Sequence, residues 1–210
     1  MTAPAPEGRG VAAAILAAGL GARLGGDRPK PLAPLGGRPL VAWALDAALA
    51  SGLEPVLLVV GHRADDVAAA APPGVAVVRA PGYEEGIAHS LAAALDELGP
   101  RRSVGAVAVG LADQPLVGPG AYRRLAAAYD EGAGLAVATH GGVRGNPVLI
   151  GREWWAEARR LSGDEGGRVL LRRHPVREVR CDGTGEPADV DTLADLQALE
   201  ERCASRTDSG

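Results

Sequence analysis

The sequence predicts an α/β protein in three layers, a mostly parallel sheet with helices on both faces. Three observations carry that expectation. Short β-rich runs alternate with Ala/Leu-rich helical segments along the chain, the order that parallel strands and crossover helices produce. One run, Val104–Leu111, is apolar almost throughout, as a strand covered on both faces must be. The 210 residues are 47% hydrophobic but only 3% aromatic, with no Phe, so the core has to be closely packed small aliphatic side chains.

Taken in order, Val11–Ala17 reads as the first strand. Pro39–Ala50 puts Leu40, Trp43, Ala44 and Ala47 on one helical face, and Gly52 follows as a stop. Val56–Val60 is the second strand, Asp65–Ala71 a short helix ended by Pro72-Pro73-Gly74, and Val75–Arg79 the third strand. Ala88–Leu98 is a helix, Val104–Leu111 the central strand and Pro119–Glu131 the next helix. Leu135–Thr139 and Pro147–Ile150 are strands flanking a Gly-rich turn. Helices near Glu153–Leu161 and Gly167–Arg172, a strand Val176–Cys181 and a closing helix Leu193–Cys203 complete the reading. The chain has no internal repeats. One domain over 11–204 is expected, with a disordered start at 1–10 and a flexible tail at 205–210.

Net charge is −4 and both signs are scattered, which argues against a general binder of nucleic acid or membrane surfaces. The apolar stretches Val11–Ala18 and Pro55–Val60 are far shorter than the roughly 20 residues a membrane span needs. Met1–Gly10 lacks the basic-then-apolar layout of a signal peptide, so a cytoplasmic location is expected. Cys181 and Cys203 have no His or Cys at metal-ligand spacing beside them and read as structural or incidental.

Between the first strand and the first helix lies Leu16-Ala17-Ala18-Gly19-Leu20-Gly21-Ala22-Arg23-Leu24-Gly25-Gly26-Asp27-Arg28-Pro29-Lys30. Glycines let the backbone turn N–H groups toward an anion, though a tight strand-to-helix turn also needs them. The basic residues add to the signal. Lys30 is the single lysine among 22 Lys and Arg residues, a compact charge kept where a planar guanidinium does not fit. Arg23 offers a fork to a polyphosphate. A P-loop is excluded because Gly25-Gly26 is followed by Asp27, not Lys-Ser/Thr. A dinucleotide fold wants an acid at the end of the second strand, where this chain has Gly61-His62-Arg63.

The segment Leu16–Lys30, continued by Pro31-Leu32 and Leu35-Gly36-Gly37-Arg38-Pro39-Leu40, resembles the opening of nucleotidyltransferases that act on molybdopterin, and of related sugar-phosphate enzymes. Gly82-Tyr83-Glu84-Glu85-Gly86-Ile87-Ala88-His89-Ser90-Leu91 is similar to a Gly-x-x-x-Gly-Met-x-x-Ser-Leu segment of the molybdenum cofactor cytidylyltransferase group. Leu111-Ala112-Asp113-Gln114-Pro115 resembles its Leu-x-Asp-Gln-Pro element. Arg144-Gly145-Asn146-Pro147 and Gly163-Asp164-Glu165-Gly166-Gly167-Arg168 resemble two further elements, and Asp189-Val190-Asp191-Thr192-Leu193-Ala194-Asp195-Leu196 a last one. Together they run from Val11 to Leu196 in family order. Ala80-Pro81 departs from relatives that carry a polar residue before that proline.

The resemblance implies a nucleotide-diphospho-sugar transferase-like fold with a Rossmann-like nucleotide-binding half. It also implies a magnesium-dependent (Mg2+) transfer of a nucleotidyl group to a molybdopterin-type acceptor, with a molybdoenzyme or its chaperone as the client. Leu16, Ala17, Ala18, Gly19, Gly21, Arg23, Lys30, Gly86 and Ser90 are expected on the nucleotide, with Lys30, Arg23 and Asp113 catalytic. Asp113 and Asp191 are expected on the metal, since oxygen ligands suit magnesium and Asp113 ends a central parallel strand. Asp189 shares the side of Asp191 if the segment is extended, and the metal contact is open between the two. A helix cap by Thr192 with Asp195, or by Asp191 itself, is a competing use of that segment. Asn146, Asp164 and Arg168 are expected on the acceptor, although Gly-Asn-Pro is also a good turn. Relatives with Ala-Gly rather than Gly-Gly at 18–19 use CTP, so CTP is favoured over GTP. A sugar- or alcohol-phosphate acceptor is the nearest rival, and a non-catalytic protein that delivers cofactor a rival of another class.

Overall fold

The computed structural model describes residues 8–19 and 29–207. Gly21 and Arg23 of the glycine-rich loop, most of the start at 1–10 and the end of the tail lie outside them.

Nine strands are described: β1 (Gly10–Ala17), β2 (Pro34–Leu35), β3 (Arg38–Pro39), β4 (Val56–Val60), β5 (Val75–Arg79), β6 (Val104–Leu111), β7 (Leu135–His140), β8 (Val143–Gly151) and β9 (Arg177–Arg180). Seven form one sheet in the order β5-β4-β1-β6-β8-β7-β9, and β2 and β3 pair as a separate two-residue hairpin. The large sheet is parallel except for β8, which runs against both its neighbours, β6 and β7. The reversal has a local cause. Only Gly141-Gly142, with φ of 58° and 80°, joins β7 to β8. Two residues of positive φ close a hairpin, whereas a parallel return needs a crossover of a dozen residues or more.

Seven α-helices are described: α1 (Leu40–Ala50), α2 (Ala64–Ala68), α3 (Ile87–Leu98), α4 (Pro119–Asp130), α5 (Trp155–Ala158), α6 (Arg168–Arg173) and α7 (Leu193–Thr207). β1 divides the core in two. Val11, Ala13, Ile15 and Ala17 join the apolar cluster with α1 and α4, while Ala12, Ala14, Leu16 and Ala18 join the one with α3, α5 and α6. Strand alternation produces that split, and the alanines let helices on both faces approach the sheet. A smaller cluster of Ala33, Leu35, Leu40, Val190, Leu196 and Leu199 seats α7.

The strands expected from sequence are all present, with ends shifted by a few residues. The β2–β3 hairpin is additional. Residues 8–10 are held in place: Gly8 N donates to Arg102 O at 2.9 Å, Tyr129 Oη donates to Gly8 O at 2.8 Å, and Gly10 already opens β1. The closing helix runs to Thr207 rather than Cys203. No described helix is long and apolar enough to cross a membrane.

Candidate active site

Parallel strands end at one edge of a sheet, and the loops that follow them converge there. β1 delivers Leu16, Ala17 and Gly19 to that edge, and β6 beside it delivers Ala112 and Asp113, tied by Ala112 N donating to Leu16 O at 3.1 Å. Lys30 opens a three-residue 3-10 turn, Lys30–Leu32, whose Pro31 is buried. The distant segment 185–191 is stitched alongside 113–118 by three hydrogen bonds. Glu186 N donates to Leu116 O at 2.8 Å, Gln114 Nε2 to Pro187 O at 3.2 Å, and Val190 N to Asp113 O at 2.9 Å. That stitching carries Asp191 to Asp113 across the sequence. Gln114, which the sequence presents only as part of a motif, is thus a positioning residue.

The result is a triad. Lys30 Nζ donates to Asp113 Oδ2 at 2.7 Å and to Asp191 Oδ1 at 2.7 Å. Burial alone would lower the lysine pKa, but the charges and hydrogen bonds of Asp113 and then Asp191 outweigh it, and the ammonium is held above its ordinary value. Asp113 Oδ1 is buried and has no hydrogen-bond partner among the described residues. Asp189 is not part of the bridge. Partial desolvation, then repulsion from Asp113, raises its carboxyl above the usual range, against a hydrogen bond from Gln114 that lowers it.

The two uses foreseen for the 189–196 segment fall to different residues. Thr192 and Asp195 form the cap: Asp195 N donates to Thr192 Oγ1 at 3.2 Å, and Thr192 N to Asp195 Oδ2 at 2.7 Å. Asp191 keeps its carboxylate for Lys30 and gives only its backbone N–H to Asp195, at 3.1 Å.

The triad faces a cleft of ≈ 550 Å³ walled also by Leu16, Ala17, Gly19, Asp164 and Arg168. A smaller cavity of ≈ 120 Å³ adjoins it, sharing Leu16, Asp164 and Arg168. Its floor is aliphatic, from Ile87, Leu91, Val109, Val148 and Ile150, and buried Asn146 also lines it. The sequence reading missed this floor, whose residues look like ordinary core positions of α3, β6 and β8.

Three residues expected on the nucleotide line neither cavity. Ala18 is buried, its methyl in the core with Ala80 and Tyr83. Ser90 is buried as well; Ile87 and Leu91 of α3 line the smaller cavity. Gly86, at φ 120°, lies against the Gly163–Glu165 turn, and a Cβ there would stand 2.3 Å from the Gly163 carbonyl carbon. Close packing is what this structure requires of that glycine.

Residues 13–179 match the MobA-like NTP transferase domain family. The chain belongs to that family. Among similar proteins, a 2-C-methyl-D-erythritol 4-phosphate cytidylyltransferase of Cereibacter sphaeroides is 40% identical over 91% of this chain and 88% of its own. The bifunctional protein GlmU of Gluconacetobacter diazotrophicus is 42% identical over 63% of this chain. That match spans only 28% of this GlmU, and the match to the GlmU of Pelobacter propionicus spans 33% of that protein. The crystal structure of Rv0371c from Mycobacterium tuberculosis H37Rv superposes with a TM-score of 0.78 at 34% identity, over 91% of this chain and 97% of that one. Rv0371c has also been solved in complex with manganese.

In this MobA-like domain the donor set fits a hard divalent cation. Two carboxylates converge on one small positive charge, and Asp113 Oδ1 is a buried acceptor left over. Among the described residues no cluster of three or more His, Cys, Asp or Glu could hold a metal by itself. Magnesium characteristically takes one or two carboxylates and completes its shell with water and substrate phosphates.

Proposed function

We propose that this chain transfers a nucleotidyl group, CMP from CTP, with magnesium, onto a molybdopterin-type acceptor with release of pyrophosphate. The observation that carries the reading is the Lys30–Asp113–Asp191 triad, assembled from three distant parts of the chain at the open edge of the sheet. Asp113 and Asp191 would hold the metal, which when bound supplies charge neutralisation at phosphate oxygens. Lys30, Arg23 and the backbone from Leu16 to Gly21 bind the triphosphate. Asn146, Asp164 and Arg168 orient the acceptor, Arg168 by its fork on a phosphate.

An acceptor phosphate oxygen then forms a bond to the α-phosphorus as the bond from that phosphorus to the bridging oxygen of pyrophosphate breaks, and the charge leaves with pyrophosphate. No covalent nucleophile on the protein is needed. Positioning and fixed positive charge do the work, of which Lys30 and Arg168 line the cleft.

A second reading keeps CTP and changes the acceptor to a small alcohol phosphate. The 40% identical cytidylyltransferase of C. sphaeroides favours it, as does the aliphatic cavity of ≈ 120 Å³ beside Arg168. Each nucleoside triphosphate, incubated with magnesium and with molybdopterin, 2-C-methyl-D-erythritol 4-phosphate or a sugar 1-phosphate, separates the two by product mass. Cytidylylated molybdopterin is the expected product. Cytidylylation of the alcohol phosphate alone selects the second reading, and no pyrophosphate from any pair removes both.

A further inference from the structure

Lys30 raises a question that triphosphate binding does not answer. Its ammonium spans the two carboxylates assigned to the metal, 2.7 Å from each. It is therefore the cation these carboxylates hold, and a metal and an ammonium compete for the same oxygens. The fit is incomplete: Asp113 Oδ1 is buried beside the bridge and unused by it, so the pair retains capacity for a cation that accepts more ligands.

The surroundings allow exchange without refolding. Pro29 and Pro31 restrict the backbone on either side of Lys30, and buried Pro31 anchors the turn. Movement is left to the flexible four-carbon side chain, which faces a cleft of ≈ 550 Å³. Residue type matters as well. All other Lys/Arg positions in this chain are Arg, and a planar fork cannot take the place of a spherical ion between two carboxylates as a compact ammonium does.

We propose that Lys30 is a placeholder for the metal. In the nucleotide-free protein it occupies the position between Asp113 and Asp191, and it leaves when a triphosphate offers it phosphate oxygens. The metal then enters with the nucleotide rather than ahead of it. The inference rests on the reading above in taking these two carboxylates as the metal pair. By linkage, the lysine lowers affinity for free metal by the fraction of time the pair is occupied, and nucleotide restores it.

Manganese alone, without nucleotide or acceptor, is the probe, followed by electron paramagnetic resonance. Lys30→Met should bind it at least about tenfold more tightly than the unmodified protein, a factor set by an open fraction of about one in ten or less. Asp113→Asn in the Lys30→Met background should abolish the binding. Equal or weaker binding by folded Lys30→Met overturns the proposal. A second arm needs no variant, because Lys30 is the only lysine. Acetylation of its amine, read by peptide mass, should accelerate when manganese saturates the unmodified protein and slow when CTP is added with the metal. An unchanged rate at saturating manganese overturns the proposal too. Neither arm involves turnover, so a protein that passes both yet releases no pyrophosphate with any acceptor loses the proposed function and keeps the placeholder.

Discussion

The half of the sheet formed by β5, β4, β1 and β6 and the half formed by β8, β7 and β9 serve one cleft by opposite routes. In the first, every strand runs the same way, and Gly19 and Asp113 lie just past strand ends. In the second, β8 is reversed, and Asn146 reaches the same edge from near the start of its strand, since Val148 pairs with Val109 of β6 two residues deeper. The chemistry divides similarly. Beyond β1 and β6 stand Lys30 and Asp113, joined by Asp191 from the segment after β9, while the β8 side adds an aliphatic floor lined also by Asn146, Asp164 and Arg168. Under the proposed function, the first half handles phosphate and metal and the second the acceptor.

Breaking the first half should cost most. Asp113→Asn should lower pyrophosphate release by about a thousandfold or more, the scale of losing a charge that positions a transition-state cation, with the melting temperature retained. Near-normal turnover would detach Asp113 from the chemistry. In the second half Arg168→Ala should act selectively. The KM for acceptor should rise roughly ten- to a hundredfold, corresponding to one charge-assisted contact, while the KM for CTP stays put. Equal rises for both substrates would dissolve the division.

Two smaller effects concern the scaffold. Gly86→Ala forces a Cβ to within 2.3 Å of the Gly163 carbonyl carbon at a φ of 120°. It should destabilise by about 2–4 kcal/mol in denaturant unfolding, from backbone strain plus overpacking. Thr192→Ala removes the cap of α7 and should lower the melting temperature by roughly 2–4 °C. The same cap makes an acid-side prediction. Hydrogen bonds from the Thr192 side chain, then its backbone, depress the Asp195 carboxyl below its ordinary value. A depressed carboxylate adds stability above its unfolded pKa and loses it as pH falls through the folded one. Asp195→Asn should therefore narrow the stability difference between pH 6 and pH 3, and an unchanged difference would leave the cap without an electrostatic part.

Much of this was legible in the sequence, for reasons that differ by region. Strands buried on both faces, such as Val56–Val60, announce themselves by continuous apolar runs. Asp113 could be foreseen because position after a parallel strand carries meaning. The partnership of Asp191 with Lys30 could not be read from spacing, since it depends on the hydrogen bonds from Glu186, Gln114 and Val190. The direction of β8 was latent in Gly141-Gly142. The aliphatic floor was hidden because Leu91 and Val148 look the same to sequence whether they face a neighbour or a cavity.

The triad as a metal and triphosphate centre is tested most directly by crystallising the protein with CTP and manganese and collecting anomalous diffraction at the manganese edge. A manganese peak between Asp113 and Asp191 is expected, with the Lys30 ammonium withdrawn onto the phosphates. A peak elsewhere, with Lys30 still bridging the two carboxylates beside bound nucleotide, would contradict it.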